Sequence, residues 1–126
     1  MSLTNTFETT TLNWLLTTAT ATRPTTWYVG LFTDDPTETG AGTEITGNSY
    51  ARTVVAFTIS GNAATNTGAV EFPEATGSWG TITHIGVMTA STAGTMIVHA
   101  ALSASKAIAS GDVFRINAGD LDITLD

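Results

Sequence analysis

The sequence contains no cysteine and few charged residues. Because cysteine is absent from all 126 residues, disulfides and thiolate metal sites are excluded, and stability must come from the core or from neighbouring subunits. Charged residues make up 12%, about half the usual share, while hydrophobic residues make up 42%. The composition therefore predicts a domain with a buried core and a surface rich in threonine hydroxyls rather than in charge.

Positive charge is especially scarce. The formal net charge is −7, and the only cationic side chains are those of Arg23, Arg52, Lys106 and Arg115. They are scattered along the chain, so no basic stripe could follow a phosphate backbone. No apolar run approaches the roughly 20 residues that a membrane span needs. We therefore expect neither direct nucleic-acid binding nor a membrane role.

Short apolar segments separated by turn residues recur along the chain. Residues 26–32 are apolar on both faces, with Trp27, Val29 and Leu31 on one face and Tyr28, Gly30 and Phe32 on the other. Near the end of the chain, Leu121, Ile123 and Leu125 alternate with Asp120, Asp122, Thr124 and Asp126, as in a half-buried strand. About eight such segments predict an all-β fold in one domain of residues 1–126: a two-sheet antiparallel sandwich, jelly-roll-like, with one N-terminal helix.

Residues 81–87 are the segment around which the other strands are expected to be arranged. They are rich in β-branched residues and apolar on both faces, which is typical of a central strand. Strict alternation puts Ile82, Gly86 and Met88 on one face and Ile85 and Val87 on the other. Trp79, just before this strand, is expected to anchor the preceding loop through its buried ring and one hydrogen-bond partner for its N–H.

Residues 1–25 are predicted to form an N-terminal helix and a linker. Asn5 followed by Glu8 fits a capping box at the start of a helix over residues 3–18. Apolar residues recur there at roughly helical spacing: Leu3, Phe7, Leu12, Trp14, Leu15 and Leu16. Two interpretations stay open: the apolar stripe caps the end of the sheet core, or it packs on a neighbouring subunit.

Residues 33–47 form a long polar loop. The loop carries four acidic residues: Asp34, Asp35, Glu38 and Glu44. Carboxylates could bind Ca²⁺, but their spacing does not match an EF-hand, and Asp-Asp-Pro is a turn signal in its own right. Arg52 is expected to pair with one of these acids, within the chain or across a subunit boundary. We expect no metal site here.

Candidate catalytic groups are few. His84 and His99 lie on neighbouring predicted strands, but two histidines without a third ligand do not define a metal site or an acid–base couple. Glu71 and Glu74 would serve as a glycosidase pair only if they faced each other across a cleft. The aromatic residues Trp27, Tyr28, Tyr50 and Trp79 could fill the core or form a sugar-stacking platform. We expect no enzymatic activity and no cofactor.

Six segments of the chain form a recognisable set: YVGLFTDDP (28–36), GNSYAR (47–52), NTGAVEF (66–72), FPEATGSWG (72–80), THIG (83–86) and AGDLDITL (118–125). They resemble a family of small tailed-bacteriophage proteins that are labelled tail fibre or minor structural proteins. Together they extend over essentially the whole chain. The resemblance implies a virion protein, assembled in the cytoplasm of the host bacterium.

Two roles fit that implication. The first is capsid decoration, cementing or head–tail accessory function, in which copies of the chain and of other virion proteins, such as the major capsid or tail protein, bury surface against one another. The alternative is a tail-fibre or tail-tip module that binds a host receptor or glycan. The residues predicted to make the contacts are Leu3, Phe7, Trp14, Asp34, Asp35, Glu38, Glu44 and Arg52.

Overall fold

The structure, a computed structural model, describes residues 1–125. This range contains ten β-strands and one α-helix. Asp126, predicted to lie on the outer face of the last strand, falls outside that range. In chain order the elements are β1 (Ser2–Leu3), α1 (Asn5–Leu16), β2 (Trp27–Phe32), β3 (Thr53–Val55), β4 (Phe57–Ser60), β5 (Ala63–Asn66), β6 (Val70–Glu71), β7 (Gly80–Met88), β8 (Met96–Ile108), β9 (Arg115–Ile116) and β10 (Asp122–Thr124).

All strand pairs are antiparallel and fall into three sheets. The largest sheet has the order β1-β8-β7-β2-β3, a second has the order β10-β5-β4, and β6 pairs with β9. The prediction of an all-β antiparallel fold with one N-terminal helix is confirmed. The structure has ten strands rather than about eight, because β1 adds a short strand before the helix and some segments are divided, as β3 and β4 are at Ala56.

The predicted central strand is β7, which lies between β8 and β2 in the large sheet. The expected face assignment is wrong at Ile82, because Ile82 and Ile85 both face the main core. A register shift causes this: Ile82 pairs with Lys106 and His84 with Ala101, so residues 102–105 of β8 are opposite Thr83 alone. Such a bulge inserts residues into one strand and rotates the side chains that follow it.

The main core lies between the large sheet and the two small ones. Val29 and Leu31 of β2 contribute to it from the large sheet, and Val70, Phe114 and Leu121 contribute from the opposite side. A second, smaller cluster of Phe32, Met88 and Met96 lies on the other face of the large sheet. The two faces predicted for β2 are therefore both apolar and both covered.

Trp79 holds the loop that precedes β7, as predicted. Its ring is 4% exposed and packs edge-on against Tyr50, and its Nε1–H donates to the carbonyl of Asn48 at 3.0 Å. The ring of Tyr50 in turn stacks on Phe72. Residues 47–50 belong to no strand, and this aromatic group joins them to the core.

Helix α1 does not cap the core. Its N-cap residue is Thr4, and no side chain caps the first turn, so the predicted Asn5–Glu8 capping box is wrong. Thr4 instead donates its hydroxyl to the carbonyl of Met96 at 2.7 Å and its amide to the carbonyl of Ile97 at 2.9 Å. The helix is thus hydrogen-bonded to β8 through its N-cap residue, and no residue of α1 is buried. Within residues 1–125, no helix is long and apolar enough to cross a membrane.

Candidate assembly surfaces

The apolar side chains of α1 divide between two sides of the helix. At 3.6 residues per turn, Phe7, Thr10, Thr11 and Trp14 share one side, and Leu12, Leu15 and Leu16 share another. The first side lines a groove of about 370 Å³ together with residues 21–24, Trp27 and Ile97. The second side, which we call the helix face, is open to solvent: Leu12 is 58% exposed, Leu15 60% and Leu16 77%.

A second apolar surface lies on the sheet formed by β4, β5 and β10. Ile59 pairs with Ala64, and Ala64 pairs with Ile123, so these three residues share one face with Leu125, one position beyond β10. The same face continues into the core through Leu121 and Asn66. Towards the β4–β5 turn it extends past the core, where Ile59 is 69% exposed and Leu125 59%. We call Ile59, Ala64, Ile123 and Leu125 the sheet face.

Threonines and aspartates cover the opposite side of the same small sheet. Thr58 pairs with Thr65, and Thr65 donates its hydroxyl to Asp122 Oδ1 at 2.9 Å. This polar side is the solvent side that the alternation of residues 121–125 predicts. The sheet face is therefore the core-facing side of this sheet, continued beyond the end of the core.

The four acidic residues of the 33–47 loop do not converge. Asp34 accepts hydrogen bonds from the amide and hydroxyl of Thr43 at 2.6 and 2.7 Å, and these bonds, the amide first, hold the pKa of Asp34 below its usual value. Asp35 accepts from the amide of Thr37 at 2.9 Å, and Glu38 accepts from the hydroxyl of Ser2 at 2.9 Å. Asp34 and Asp35 therefore stabilise the loop itself, whereas Glu38 joins it to β1.

The fourth acid, Glu44, forms the best-connected polar cluster of the protein. Arg52 binds both carboxylate oxygens of Glu44, Nε to Oε1 and Nη2 to Oε2, each at 2.7 Å. Arg52 Nη1 also donates to the carbonyls of Ala90 and Ala93 in the β7–β8 turn, and the Tyr50 hydroxyl donates to Glu44 Oε1 at 2.7 Å. The expected pairing of Arg52 with a loop acid is confirmed, and it lies within the chain.

The cluster also shifts the pKa values of Arg52 and Tyr50. The hydrogen bonds from Arg52 to Glu44 raise the pKa of the guanidinium, so Arg52 stays charged. Burial, followed by the bond to Glu44, raises the pKa of Tyr50 well above its usual value. Gly30 leaves the space for the cluster, because a Cβ there would lie 3.0 Å from Glu44 Oε1 and 3.5 Å from the Tyr50 hydroxyl.

The two histidines lie on the outer face of the large sheet, beneath the acidic loop. Asp35 Oδ1 is 3.9 Å from His84 Nε2 and 3.8 Å from His99 Nδ1, and His99 Nε2 is 3.3 Å from Glu38 Oε1. These contacts join the loop to β7 and β8. No group of three or more histidine, aspartate or glutamate side chains in residues 1–125 is arranged to hold a metal ion.

The four aromatic residues considered as a sugar platform do not share a surface. Trp79 is buried and Tyr50 packs against the main core. Trp27 packs on that core from its margin, whereas Tyr28 lies on the other face of the large sheet with Phe32. Their geometry is that of core filling.

The predicted contact residues occupy several separate places. Phe7 and Trp14 come together at the groove beside α1, and Leu3 pairs with Val98 in the large sheet. The loop acids and Arg52 bond within the chain, and their role in contacts with other proteins stays a prediction. Ile59 and Leu125 were not among the residues predicted to make contacts. The alternation of residues 121–125 gave a signal for that face, but it could not show where the core ends.

The fold and these surfaces define an all-β domain that carries apolar side chains outside its covered core. The family described as Podophage GP4 fiber I protein gp80 matches residues 2–124, and the chain belongs to that family. It is a bacteriophage virion structural protein, as the sequence resemblance predicts. No curated protein matches the chain.

Proposed function

We propose that the protein is a structural subunit of the phage fibre apparatus that acts through protein–protein contacts and catalyses no reaction. The observation that carries this proposal is the helix face: three leucines on a helix bonded to the domain only near its first turn, each more than half exposed. A Leu side chain contributes about 1.5–3 kcal/mol when it is fully buried. A lone domain gains nothing from this surface, whereas an assembly does.

The family description supports a role in the fibre over capsid decoration. The internal hydrogen bonds of the loop acids support a non-enzymatic role, since Asp34, Asp35, Glu38 and Glu44 each accept a hydrogen bond from within the chain. A receptor- or glycan-binding role has less support, because the aromatic residues proposed for it are distributed over the core and both faces of the large sheet.

The location can be tested on purified virions. Quantitative gel densitometry should give a copy number that matches the fibre proteins, and gold-labelled antibody should mark the tail region in electron micrographs. A copy number comparable with that of the major capsid protein, with label over the heads, would instead establish capsid decoration. Absence of the protein from purified virions would contradict both roles.

The contact surface can be tested with matched helix variants. Leu15→Asp places a charge in the helix face, whereas Thr6→Asp places the same charge at an exposed polar position on another side of the same helix. We expect Leu15→Asp to lower incorporation into virions by at least about tenfold, which corresponds to about 1.4 kcal/mol, and Thr6→Asp to have little effect. Equal incorporation of the two variants would show that the helix face is not a contact surface.

A further inference from the structure

The groove beside α1 has the size and the lining of a small-molecule site. Aromatic rings from two elements line it, Phe7 and Trp14 of α1 and Trp27 of β2, and Trp14 is 60% exposed. Of these rings, only Trp27 is among the four aromatic residues that do not share a surface. The groove volume of about 370 Å³ falls within the roughly 300–1,000 Å³ of ligand sites, which are mostly apolar and carry a few polar groups. A groove of this size suits one or two rings of a ligand rather than a folded partner.

The polar groups of the groove have no hydrogen-bond partner among residues 1–125. The indole N–H groups of Trp14 and Trp27 donate to no acceptor there, and the hydroxyls of Thr11 and Thr22 are likewise free. The backbone of residues 21–24 forms no hydrogen bond within the described chain either. Unpaired polar groups beside apolar rings need water or a ligand as their partner. The groove therefore offers both donors and acceptors to an occupant.

Arg23 gives the groove a positive charge. It is the only charged residue that lines the groove, and its guanidinium forms no ion pair among the described residues. The acid of α1, Glu8, is about 100° around the helix from Phe7 and does not line the groove. A free guanidinium can bind a carboxylate through two parallel hydrogen bonds. An anionic group is therefore complementary to the groove, although the whole chain has a net charge of −7.

We propose that this groove binds an acidic sugar, with the sugar ring against the indole of Trp14 or Trp27 and the carboxylate bound by Arg23. A sugar ring has an apolar C–H face and hydroxyls that both donate and accept, so it matches an indole that is apolar on its face and polar at one edge. The carboxylate supplies the partner that the guanidinium lacks. This binding is an activity beyond the structural role and independent of it, since the helix face lies on another side of α1.

The three tryptophans of the chain provide the test. Trp14 and Trp27 line the groove, whereas Trp79 is buried with its N–H bonded to the carbonyl of Asn48, so Trp79 serves as an internal control. The isotope-labelled whole protein is titrated, with nuclear magnetic resonance as the readout, with the methyl glycosides of galacturonic acid and of N-acetylneuraminic acid and with a galacturonic acid trimer. The indole signals of Trp14 and Trp27 should shift to saturation, and the signal of Trp79 should not move.

Matched ligands and variants test the recognition of the carboxylate. Methyl galactoside, which lacks the carboxylate, should bind at least about tenfold more weakly than methyl galacturonide, because the charge-assisted bonds to Arg23 are lost. Arg23→Gln should weaken the binding of the galacturonide by the same factor and leave that of the galactoside unchanged. Arg115→Gln, at an exposed arginine that pairs with Glu71 outside the groove, is the control and should change neither. Trp14→Ala should weaken the binding of both sugars, and circular dichroism should show an unchanged fold, since no residue of α1 is buried.

Three results would overturn the inference. Indole signals of Trp14 and Trp27 that do not shift to saturation with any of the acidic sugars would show that the groove binds none of them. Equal affinities for galacturonide and galactoside, or an unchanged galacturonide affinity in Arg23→Gln, would show that the carboxylate is not recognised. A blocked acidic peptide, acetyl-Glu-Leu-Glu-amide, that shifts the same signals with at least about tenfold higher affinity would assign the groove to a segment of a protein partner. None of these results affects the proposed function, which the incorporation of Leu15→Asp into virions tests separately.

Discussion

Arg52 is the residue whose removal should destabilise this domain most clearly through electrostatics. Its side chain is 9% exposed, and that of its partner Glu44 is 22% exposed. The guanidinium joins three segments: the 33–47 loop through Glu44, the entry to β3, and the β7–β8 turn through the carbonyls of Ala90 and Ala93. Arg52→Met keeps the apolar stem and removes every one of these bonds.

The expected cost follows from the burial of the pair. Removing one partner of a buried ion pair costs about 3–5 kcal/mol, because the other charge stays buried without compensation. Glu44 is partly exposed and keeps its bond from Tyr50, so water can replace part of what is lost, and we expect about 3 kcal/mol. For a domain of this size, about 4 °C of melting temperature corresponds to 1 kcal/mol, which predicts a fall of roughly 12 °C.

The chain contains a matched control. Arg115 pairs with Glu71 at 3.0 Å, but the two side chains are 53% and 56% exposed. Exposed pairs contribute little, so Arg115→Met should cost about 0.5 kcal/mol or less. Urea unfolding and thermal melts of both variants measure the difference. If Arg52→Met lowered the melting temperature no more than Arg115→Met, the view that the Glu44–Arg52 cluster stabilises the loop through burial would be refuted.

Three further predictions concern stability and the acidic loop. Asn66→Ala should cost about 2–4 kcal/mol in urea unfolding, because the buried amide loses three bonds at 2.8–2.9 Å, whereas the exposed Asn62→Ala should cost under about 1 kcal/mol. Gly30→Ala should cost about 1–3 kcal/mol, measured the same way, since the added methyl meets the Glu44 carboxylate at 3.0 Å. The folded pKa of Asp34 lies below its usual 3.8, so its contribution to loop order is complete above that pH and is lost as the pH falls through the folded pKa. The amide resonance of Thr43 should follow that titration, and Asp34→Asn should remove it.

The sequence predicted the strands with a regular period and the pairing of opposite charges. Alternation in residues 26–32 correctly assigned both faces of β2, because β2 has no bulge and pairs on both sides in an unbroken register. The chain has only four cationic side chains, so the loop acids had few possible partners other than Arg52. Gly30 lies on one of these faces, and the groups that approach it are the Glu44 carboxylate, the Phe32 ring and the Tyr50 hydroxyl.

The predicted face of a side chain was wrong where the strand departs from regular alternation. The bulge opposite Thr83 rotates Ile82 to the core side, and the shift between Val87 and Met88 places Met96 in the outer cluster while Val98 pairs with Val87. No local signal marks either bulge, since the inserted residues of β8, which are residues 102–105 and Ile97, would also suit a regular strand. Bulges depend on how two distant segments pair, which composition does not reveal.

The apolar residues of α1 were recognised, but not their arrangement. The sequence suggested one broad stripe, whereas helical geometry separates Phe7 and Trp14, which line the groove, from the helix face. A stripe of either kind is compatible with packing on a core or on another subunit. Which of the two applies depends on whether other residues already cover the end of the sheet core. Only the folded chain shows that the main core contains no residue of α1.

The weak attachment of α1 fits a chain that completes its stability in an assembly. Thr4 and Asn5 supply the backbone hydrogen bonds that join the start of the helix to β8 and to Glu38, while the rest of α1 has no buried residue. Isolated helices of this length are marginal in water, and the threonines of α1 lower its propensity further. We therefore expect amide exchange in α1 of the isolated protein to be fast beyond its first turn, and to become slow only when the helix face is covered. Slow exchange throughout α1 in a monomeric sample would show that the helix is stable alone, and would remove this reason for a partner.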